Sequence, residues 1–321
     1  MVTVRAWAAA IGVCAALAGA ARAQDYPAKF LTIVVPFAAG SGSDTATRIM
    51  GQGLAAKLGQ SVVVENKVGA TGAIGATAVA RAAPDGYTLL AGTNSSHGSN
   101  PALYKALTYD PIKDFTAVAP LGVFTYYLVV NPQLPAATPQ ELVVYAKAHP
   151  GKVSYAFGST TALVMAETFA RATGVQILKV AYRSNPPALT DVVSGRVSMM
   201  FVDVSSANAF VRSGQLRAIA VTSRERSSIA PDLPTIRETV APDFAIESWT
   251  GYLVPARTPK PIVDRLNRDI GDVVNAPEVK ARLAGLGVDV MRQTPEEFAG
   301  FVRNSVELFT RLAKEAGIEP E

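Results

Sequence analysis

The stretch LTIVVPFAAGSGSD, residues 31–44, predicts a strand, a loop of small residues and the start of a helix. Residues 31–35 are an apolar run of strand length, and a helical pattern opens at Asp44. The loop between them offers free backbone N–H groups beside the positive end of the helix dipole, so it can bind an anion without a basic side chain. An ordinary βα turn is the alternative interpretation of the same residues.

The known nucleotide-binding signatures do not fit this loop. Gly40-Ser41-Gly42 lacks the third glycine of the dinucleotide fingerprint, and the chain contains no GK[ST] sequence for a P-loop. We therefore expect an anion smaller than a nucleotide.

Residues 1–23 are predicted to be a cleaved signal peptide. Arg5 gives a positive start, residues 8–20 are apolar, and Ala21-Arg22-Ala23 is a cleavage site before Gln24. Export is therefore expected. Cys14, the single cysteine, lies in this segment and is a poor lipidation site because a valine precedes it, so the mature chain would contain no cysteine.

The composition narrows the class of protein. Hydrophobic residues make up 49% of the chain, enough for two compact domains. Loss of residues 1–23, with two arginines and no acid, lowers the formal net charge from +4 to +2, which argues against a nucleic-acid partner. No later apolar run reaches the length of a membrane span. His97 and His149 are isolated, so we expect no metal site and no cofactor.

Strands alternate with helices after residue 44, which predicts a doubly wound, mostly parallel sheet. The third predicted strand, residues 87–91, leads into a polar loop over residues 92–100. Ligands of open parallel sheets bind outside the carboxyl ends of strands, where this loop and the loop at 38–43 would meet.

A second series of strands and helices begins at residue 153 and ends at residue 221. Strand-like segments at 115–131 and 249–254 are predicted to carry the chain to a second domain and back. Helix starts are predicted at Thr138, Thr258 and Thr294, the first and last with capping boxes. Residues 223–247 are predicted to be a surface loop, and the amphipathic last helix should dock on the first domain.

Several short motifs, in this order along the chain, resemble the substrate-binding proteins of tripartite tricarboxylate transporters, the Bug family. They are YPAK at 26–29, IVVPF at 33–37, VENKVG at 64–69, APDGYTL at 83–89, YDPIKDF at 109–115, PPALTD at 186–191 and LRAIAVT at 216–222. The similarity extends over nearly the whole predicted mature chain.

This resemblance implies a two-lobed, periplasmic-binding-protein fold of the Venus flytrap type, in which each lobe is a mostly parallel sheet flanked by helices. Lobe 1 would comprise residues 24–122 with 250–321, and lobe 2 residues 123–249. The implied role is non-catalytic: a monomer captures a small carboxylate and delivers it to membrane permease subunits. In the family, the loops after the first and third strands bind the carboxylate, partly through water.

Two departures from the family pattern fall in lobe 2. The loop from Phe157 lacks the family's frequent histidine, and the frequent sequence Met-Phe-Asp-Asn becomes Phe201-Val202-Asp203, with valine in place of the first carboxylate. Both changes concern the part of the cleft that reads the distal portion of the ligand.

The predicted ligand-binding residues follow the strands of both lobes. They are Phe37, Ala39, Ser41, Gly42, Ser43, Asp44, Thr93, Asn94, Ser95, Ser96, Phe157, Ser159, Thr160, Thr161, Tyr182 and Asp203. The hydroxyl loop 159–161, at a helix N-terminus, could take a second carboxylate. Phe124, Tyr126 and Tyr127 near the first crossing could stack on a planar ring or pack in the core.

The ligand predicted from these features is an aromatic mono- or dicarboxylate, such as benzoate or a phthalate isomer. An aliphatic di- or tricarboxylate or an acidic amino acid is the alternative ligand. A periplasmic carboxylic-ester hydrolase using Ser95 or Ser96 beside His97 is the alternative from another class, although no G-x-S-x-G elbow is present. A receptor that signals rather than transports has the same sequence features.

Overall fold

A computed structural model describes residues 26–320, and the predicted signal peptide with its cleavage site after Ala23 lies outside these residues. Within residues 26–320, the strands form a six-stranded sheet and a five-stranded sheet, and helices flank both. The α/β class predicted from the sequence is confirmed. No helix in this range combines the length and the apolar character needed to cross a membrane.

The strands are short and alternate with helices along most of the chain. They are β1 (Leu31–Val35), β2 (Val62–Asn66), β3 (Thr88–Thr93), β4 (Phe115–Phe124), β5 (Tyr126–Val130), β6 (Ser154–Phe157), β7 (Leu178–Ala181), β8 (Met199–Asp203), β9 (Arg217–Val221), β10 (Ser248–Pro255) and β11 (Val288–Val290).

The helices include several that begin directly after a strand. They are α1 (Gly42–Leu58), α2 (Ala73–Ala80), α3 (Asn100–Leu103), α4 (Pro139–Ala148), α5 (Thr160–Thr173), α6 (Asn185–Val193), α7 (Val204–Arg212), α8 (Ile236–Thr239), α9 (Lys260–Asn275), α10 (Pro277–Ala284) and α11 (Pro295–Glu315), with a π-helical turn over Ser95–Ser99 before α3.

Both sheets are mixed rather than mostly parallel as predicted, because two of the five strand pairings in the first sheet and two of the four in the second are parallel. The first sheet has the order β11-β4-β10-β3-β1-β2, and β1 pairs in parallel with β2 and β3 whereas β10 is antiparallel to β3 and β4. The second has the order β7-β6-β8-β5-β9, with β6 parallel to β7 and β8, and β5 antiparallel to both its neighbours. The parallel halves bring the ends of successive strands to one edge of each sheet.

The chain crosses between the sheets at Thr125, which separates β4 from β5. The Thr125 amide donates to the Gly287 carbonyl at 2.9 Å, and its carbonyl accepts from the Val204 amide at 3.1 Å. The chain returns to the first sheet where β10 begins at Ser248. The predicted lobe boundaries at 122/123 and 249/250 fall at the ends of β4 and β10, and the division into two moving lobes stays a prediction.

Helix starts follow the predicted capping residues in two of three cases. At α11, the Glu297 amide donates to Thr294 Oγ1 at 3.2 Å and the Thr294 amide donates to Glu297 Oε2 at 2.8 Å, so the predicted capping box is confirmed. At α4, Thr138 Oγ1 accepts from the Glu141 amide at 3.2 Å, but the Glu141 carboxylate bonds to the Ala137 amide, so the predicted box is only half formed.

Two local predictions are wrong. Thr258 does not cap a helix, because its hydroxyl donates to the Pro255 carbonyl at 2.8 Å and α9 begins after Pro259. The predicted loop 223–247 contains the single-turn helix α8, whose capping box joins Thr235 and Glu238. The TIRE sequence at 235–238 carries that capping signal.

The last helix docks on the first sheet, as its apolar stripe predicts. Phe298 is fully buried, and its ring lies 5.7 Å from the Trp249 ring at nearly a right angle. Phe298 also occupies the space that a side chain at Gly251 in β10 would need. A glycine in the middle of this strand therefore admits the close approach of α11.

Candidate ligand-binding cleft

A cleft of about 400 Å³ lies between the two sheets, at the strand ends. Its walls come from three sources: the first sheet's loops, the second sheet's loops, and the strands that cross between them. The lining residues are Phe37, Ser41, Gly42, Ser43, Thr93 and Ser95 from the first, Tyr126, Ser159, Asn185 and Asp203 from the second, and Phe124, Ser248 and Thr250 from the crossings. None of these is Lys, Arg or His, so the cleft offers no cationic side chain to a ligand.

The N-terminus of α1 forms much of the first-lobe wall. Ser41 is the N-cap, and its Oγ accepts a weak hydrogen bond from the Asp44 amide at 3.4 Å. Gly42 and Ser43 follow as the first helical residues, and early amides of a helix have no partner within the helix. The wall therefore presents backbone donors and the positive end of the helix dipole to the cleft.

Asp44 fixes this loop and does not line the cleft. Its carboxylate accepts hydrogen bonds from Arg48 Nε at 3.0 Å, Asn66 Nδ2 at 2.8 Å and the Gly40 amide at 3.0 Å. Burial opposes ionisation of Asp44, but these three hydrogen bonds together outweigh burial and place its pKa below the usual range. The charged Asp44 thus ties the loop 37–41 to β2 and to α1.

The polar segment after β3 is a buried π-helical turn. Ser96 and Asn94 are fully buried and Ser95 is 2% exposed, whereas a solvated loop was the ordinary expectation for this composition. The Thr93 amide donates to Ser96 Oγ at 3.0 Å, and the Tyr109 hydroxyl donates to the Ser96 carbonyl at 2.5 Å. Only Thr93 and Ser95 of this segment reach the cleft.

The Ser96–His97 pair does not form a hydrolase site. Ser96 Oγ lies 2.9 Å from His97 Nδ1, but both residues are fully buried and neither lines the cleft. Among the described residues, His97 Nε2 has no hydrogen-bond partner, where a catalytic triad has a carboxylate on the imidazole. Burial lowers the pKa of His97 to about 3, so the ring is neutral. His97 packs against Phe115, with ring centres 4.6 Å apart.

Hydrogen bonds join the π-helical turn to the N-terminus of α5 on the other sheet. Thr160 Oγ1 accepts from Ser99 Oγ and donates to Asn100 Oδ1, both at 2.7 Å. The Thr161 amide donates to Ser95 Oγ at 3.3 Å, and the two side-chain oxygens are 3.0 Å apart. The hydroxyls of Thr160 and Thr161 therefore contact the π-helical turn rather than the cleft.

Asp203 is the one charged side chain in the lining of the second-lobe wall. It is 3% exposed and caps α7, with Oδ1 accepting from Ser205 Oγ at 2.6 Å and from the Ser206 amide at 2.9 Å. Asn185 Nδ2 donates to Asp203 Oδ2 at 3.1 Å. Burial, and next the charge of Asp203, raise the pKa of Tyr126 above its usual range, so that phenol stays protonated.

The cleft gathers half of the residues predicted from the sequence. These are Phe37, Ser41, Gly42, Ser43, Thr93, Ser95, Ser159 and Asp203. Ala39 is exposed away from the cleft, Asp44, Asn94 and Ser96 are buried behind its wall, and Thr160 and Thr161 form the contact between the lobes. Phe157, Thr160 and Tyr182 line a separate cavity of about 630 Å³ beside Tyr104 and Lys179.

Five lining residues are missing from the predicted set, although two of them had been considered. Phe124 and Tyr126 were weighed as ring-stacking or core aromatics, and both line the cleft, whereas Tyr127 is buried in the second sheet's core. Ser248 and Thr250 are two residues apart on β10, where Ser248 pairs with Phe124. Side chains at this spacing share one face of a strand, and that alternation was the available signal. Asn185 begins α6.

The fold and the cleft between two sheets define a two-lobed solute-binding protein. The sequence model described as "Tripartite tricarboxylate transporter family receptor" matches residues 46–318. The curated protein BugT from Bordetella pertussis (strain Tohama I) is 32% identical over 315 residues, 96% of this chain and 97% of that one. This chain therefore belongs to the receptor family of tripartite tricarboxylate transporters, and the Bug resemblance is confirmed.

Solved structures agree with this assignment. A structure described as the R. palustris protein with adipate is 31% identical, with a TM-score of 0.90 over 92% of this chain and all of that chain. MatC from Rhodopseudomonas palustris, solved with bound malate, is 34% identical, with a TM-score of 0.85 over 89% of this chain and 99% of that chain. The predicted two-lobed fold is confirmed. The chain is a periplasmic transport receptor of a carboxylate-binding family and not an enzyme.

Proposed function

We propose that the protein captures a small monocarboxylate in the cleft between its sheets and delivers it to the membrane permease subunits of a transporter. The observation that carries this proposal is the N-terminus of α1, where Ser41, Gly42 and Ser43 line the cleft. Backbone amides at a helix N-terminus bind a carboxylate without a cationic side chain, which suits a lining that has none.

The wall chemistry of the cleft supports a ligand with a flat apolar portion. Phe37, Phe124 and Tyr126 line the cleft, and aromatic side chains favour stacking on a planar ring. Of the aromatic acids predicted from the sequence, we favour a monocarboxylate, because the charge of Asp203 opposes a second carboxylate on the far wall.

The cellular part of the proposal follows the family. The chain would be exported with cleavage after Ala23, would act as a monomer, and would close over its ligand by hinge motion of lobe 1 (24–122 with 250–321) against lobe 2 (123–249). The crossings at Thr125 and Ser248 are the hinges of this proposal, because the chain passes there from one sheet to the other.

A thermal-shift screen of the purified protein tests the ligand class. Benzoate, phthalate, adipate and malate are each raised in concentration, because a ligand at 100 times its dissociation constant stabilises the folded state by about 2.7 kcal/mol. We expect benzoate to raise the melting temperature more than phthalate. If adipate or malate stabilises the protein while neither aromatic acid does, the prediction of an aromatic ligand is wrong and the receptor role stands. If none of these four acids binds, as confirmed by calorimetry, benzoate and its alternatives are excluded, and the receptor role is contradicted if the amino acids tested below also fail to bind.

A further inference from the structure

Two hydrogen-bond acceptors on the second-lobe wall lack the donors that their burial calls for. Asn185 is 7% exposed and lines the cleft, and its Oδ1 has no hydrogen-bond partner among the described residues. The Asn185 amide cannot be turned to improve this, because its Nδ2 already donates to Asp203 Oδ2 at 3.1 Å and reversal would place two oxygens together. A buried amide oxygen without a donor is costly, so a donor from the ligand is the natural partner.

The neighbouring Asp203 carboxylate also needs a further hydrogen-bond donor, and it carries a full negative charge. Asp203 is 3% exposed, and within residues 26–320 it forms no ion pair. Ser205 and the Ser206 amide occupy Oδ1, while Oδ2 accepts from Asn185 alone. A carboxylate has about four acceptor positions, so Oδ2 can take a further donor. A buried negative charge facing a cleft without cations favours a positively charged partner.

The position of Asp203 fixes where on the ligand that positive group must lie. A Cβ placed on Gly42 would lie 2.5 Å from Asp203 Oδ1 and 2.8 Å from Ser205 Oγ. Asp203 thus lies directly against the start of α1, which is where the proposed function places the ligand's carboxylate. A positive group that meets Asp203 must therefore lie close to the ligand's carboxylate.

We infer that the ligand is a 2-amino carboxylate, whose protonated amine is recognised by Asp203 Oδ2 and Asn185 Oδ1 while its carboxylate binds at the N-terminus of α1. This inference rests on the proposed function and specifies the ligand class of the same cleft. Such a zwitterion places its negative end against helix amides and its positive end against Asp203. A simple acid of the same shape would add a second uncompensated negative charge beside Asp203.

Calorimetry with two matched ligand pairs tests the inference. The pairs are L-phenylalanine with 3-phenylpropanoate, and L-glutamate with glutarate; within each pair only the amino group differs, so the test does not depend on an aromatic ring. In at least one pair, we expect the amino acid to bind more tightly than its deaminated analogue, by about tenfold or more. A difference of this size is expected for a buried, hydrogen-bonded charge pair.

Asp203→Asn should remove that preference, because the amide keeps the helix cap and the shape but loses the charge. Asp243→Asn is the matched control, since it removes one exposed carboxylate from the same lobe outside the cleft and should leave the preference unchanged. Equal or tighter binding of the deaminated acids by the natural protein overturns the inference and leaves the receptor proposal standing. An unchanged preference in Asp203→Asn also overturns it. If none of the four acids binds, the inference fails, and the receptor proposal fails with it only if benzoate, phthalate, adipate and malate also fail to bind.

Discussion

The two walls of the cleft present opposite chemistry to a ligand. On lobe 1, the start of α1 offers backbone donors, and Asp44 behind it is fully hydrogen-bonded to Arg48, Asn66 and the Gly40 amide. On lobe 2, Asp203 and Asn185 offer acceptors, and one of these, Asn185 Oδ1, has no partner among the described residues. The first wall is held in shape by hydrogen bonds within lobe 1, whereas the second contains an acceptor without a donor.

This difference indicates a division of labour. A prebuilt wall of backbone donors suits a carboxylate, the group shared by the adipate and malate of the two solved relatives, at little entropic cost. A wall of side chains can change by single substitutions, and it is where this chain has Val202-Asp203 in place of the family's frequent Asp-Asn. We therefore expect changes in the first wall to abolish binding and changes in the second to alter selectivity.

The largest effect is expected from Gly42→Val. A side chain here collides with Asp203 and Ser205 and covers the helix amides, so we expect affinity to fall by about 100-fold or more, equivalent to about 2.7 kcal/mol. Calorimetry with the best ligand measures it. Gly300→Val is the control, because a Cβ at Gly300 meets nothing nearer than Arg303 at 3.8 Å. Normal binding by Gly42→Val would show that α1 is not the carboxylate site.

The stability of the folded protein should depend on pH through His97, which is buried outside the cleft lining. Burial lowers its pKa from 6.5 to about 3, so in that range the unfolded chain binds a proton that the folded chain excludes. Stability is then fully present above pH 6.5 and falls with falling pH by about 1.4 kcal/mol per unit, or about 2 kcal/mol at pH 5. Urea unfolding at pH 7 and pH 5 measures this. His97→Gln should reduce the difference in unfolding free energy between pH 7 and pH 5. An unchanged difference in this variant would show that His97 is not its cause.

Contact between the walls should depend on Thr160. Thr160→Val removes the hydrogen bonds that join Thr160 to Ser99 and Asn100 between the two lobes, so we expect the closed form to lose about 1–2 kcal/mol and ligand affinity to fall by about tenfold. Small-angle scattering should show a larger radius of gyration at subsaturating ligand. Thr190→Val, an exposed position on α6, serves as the control. Unchanged affinity and compactness would mean that these bonds do not stabilise closure.

The smallest effect is expected from Ser41→Ala. Removing one hydroxyl from the first wall should weaken ligand binding by only about 0.5–1.5 kcal/mol, because backbone amides make most of the contact. Its loss as the N-cap of α1 should lower stability by about 1 kcal/mol, which thermal unfolding without ligand separates from the effect on binding. A loss of affinity as large as that of Gly42→Val would place the hydroxyl, rather than the backbone, at the centre of recognition.

The two walls also differ in how well the sequence predicts them. Ser41, Gly42 and Ser43 are contiguous in a loop after a strand, so the sequence alone brings them together. On lobe 2, the predicted Phe157 ends β6 and Tyr182 follows β7, which lies at the sheet edge, while Asp203 ends β8 in the centre of the sheet. Strand order is a tertiary property, so the sequence could not tell which strand ends face the cleft.

The crossing strands give a second reason for what the sequence missed. Ser248 and Thr250 lie on β10, which reads as an ordinary buried strand, and they line the cleft only because β10 runs beside β4 at the junction of the sheets. The segment 92–100 was located correctly, yet its burial depends on α5 and α11 packing over it. The positions of these side chains follow from packing between elements distant in sequence.

The central claim is that the ligand's carboxylate binds the first wall, while the second wall recognises the ligand group next to that carboxylate. A crystal structure of the complex with L-phenylalanine, or with whichever of the four matched acids binds best, tests it most directly. We predict carboxylate oxygens within hydrogen-bond distance of the Gly42 and Ser43 amides and, for an amino ligand, the amine nitrogen within the same distance of Asp203 Oδ2 and Asn185 Oδ1. A ligand carboxylate bound to lobe 2, or in the cavity beside Tyr182, would contradict the account.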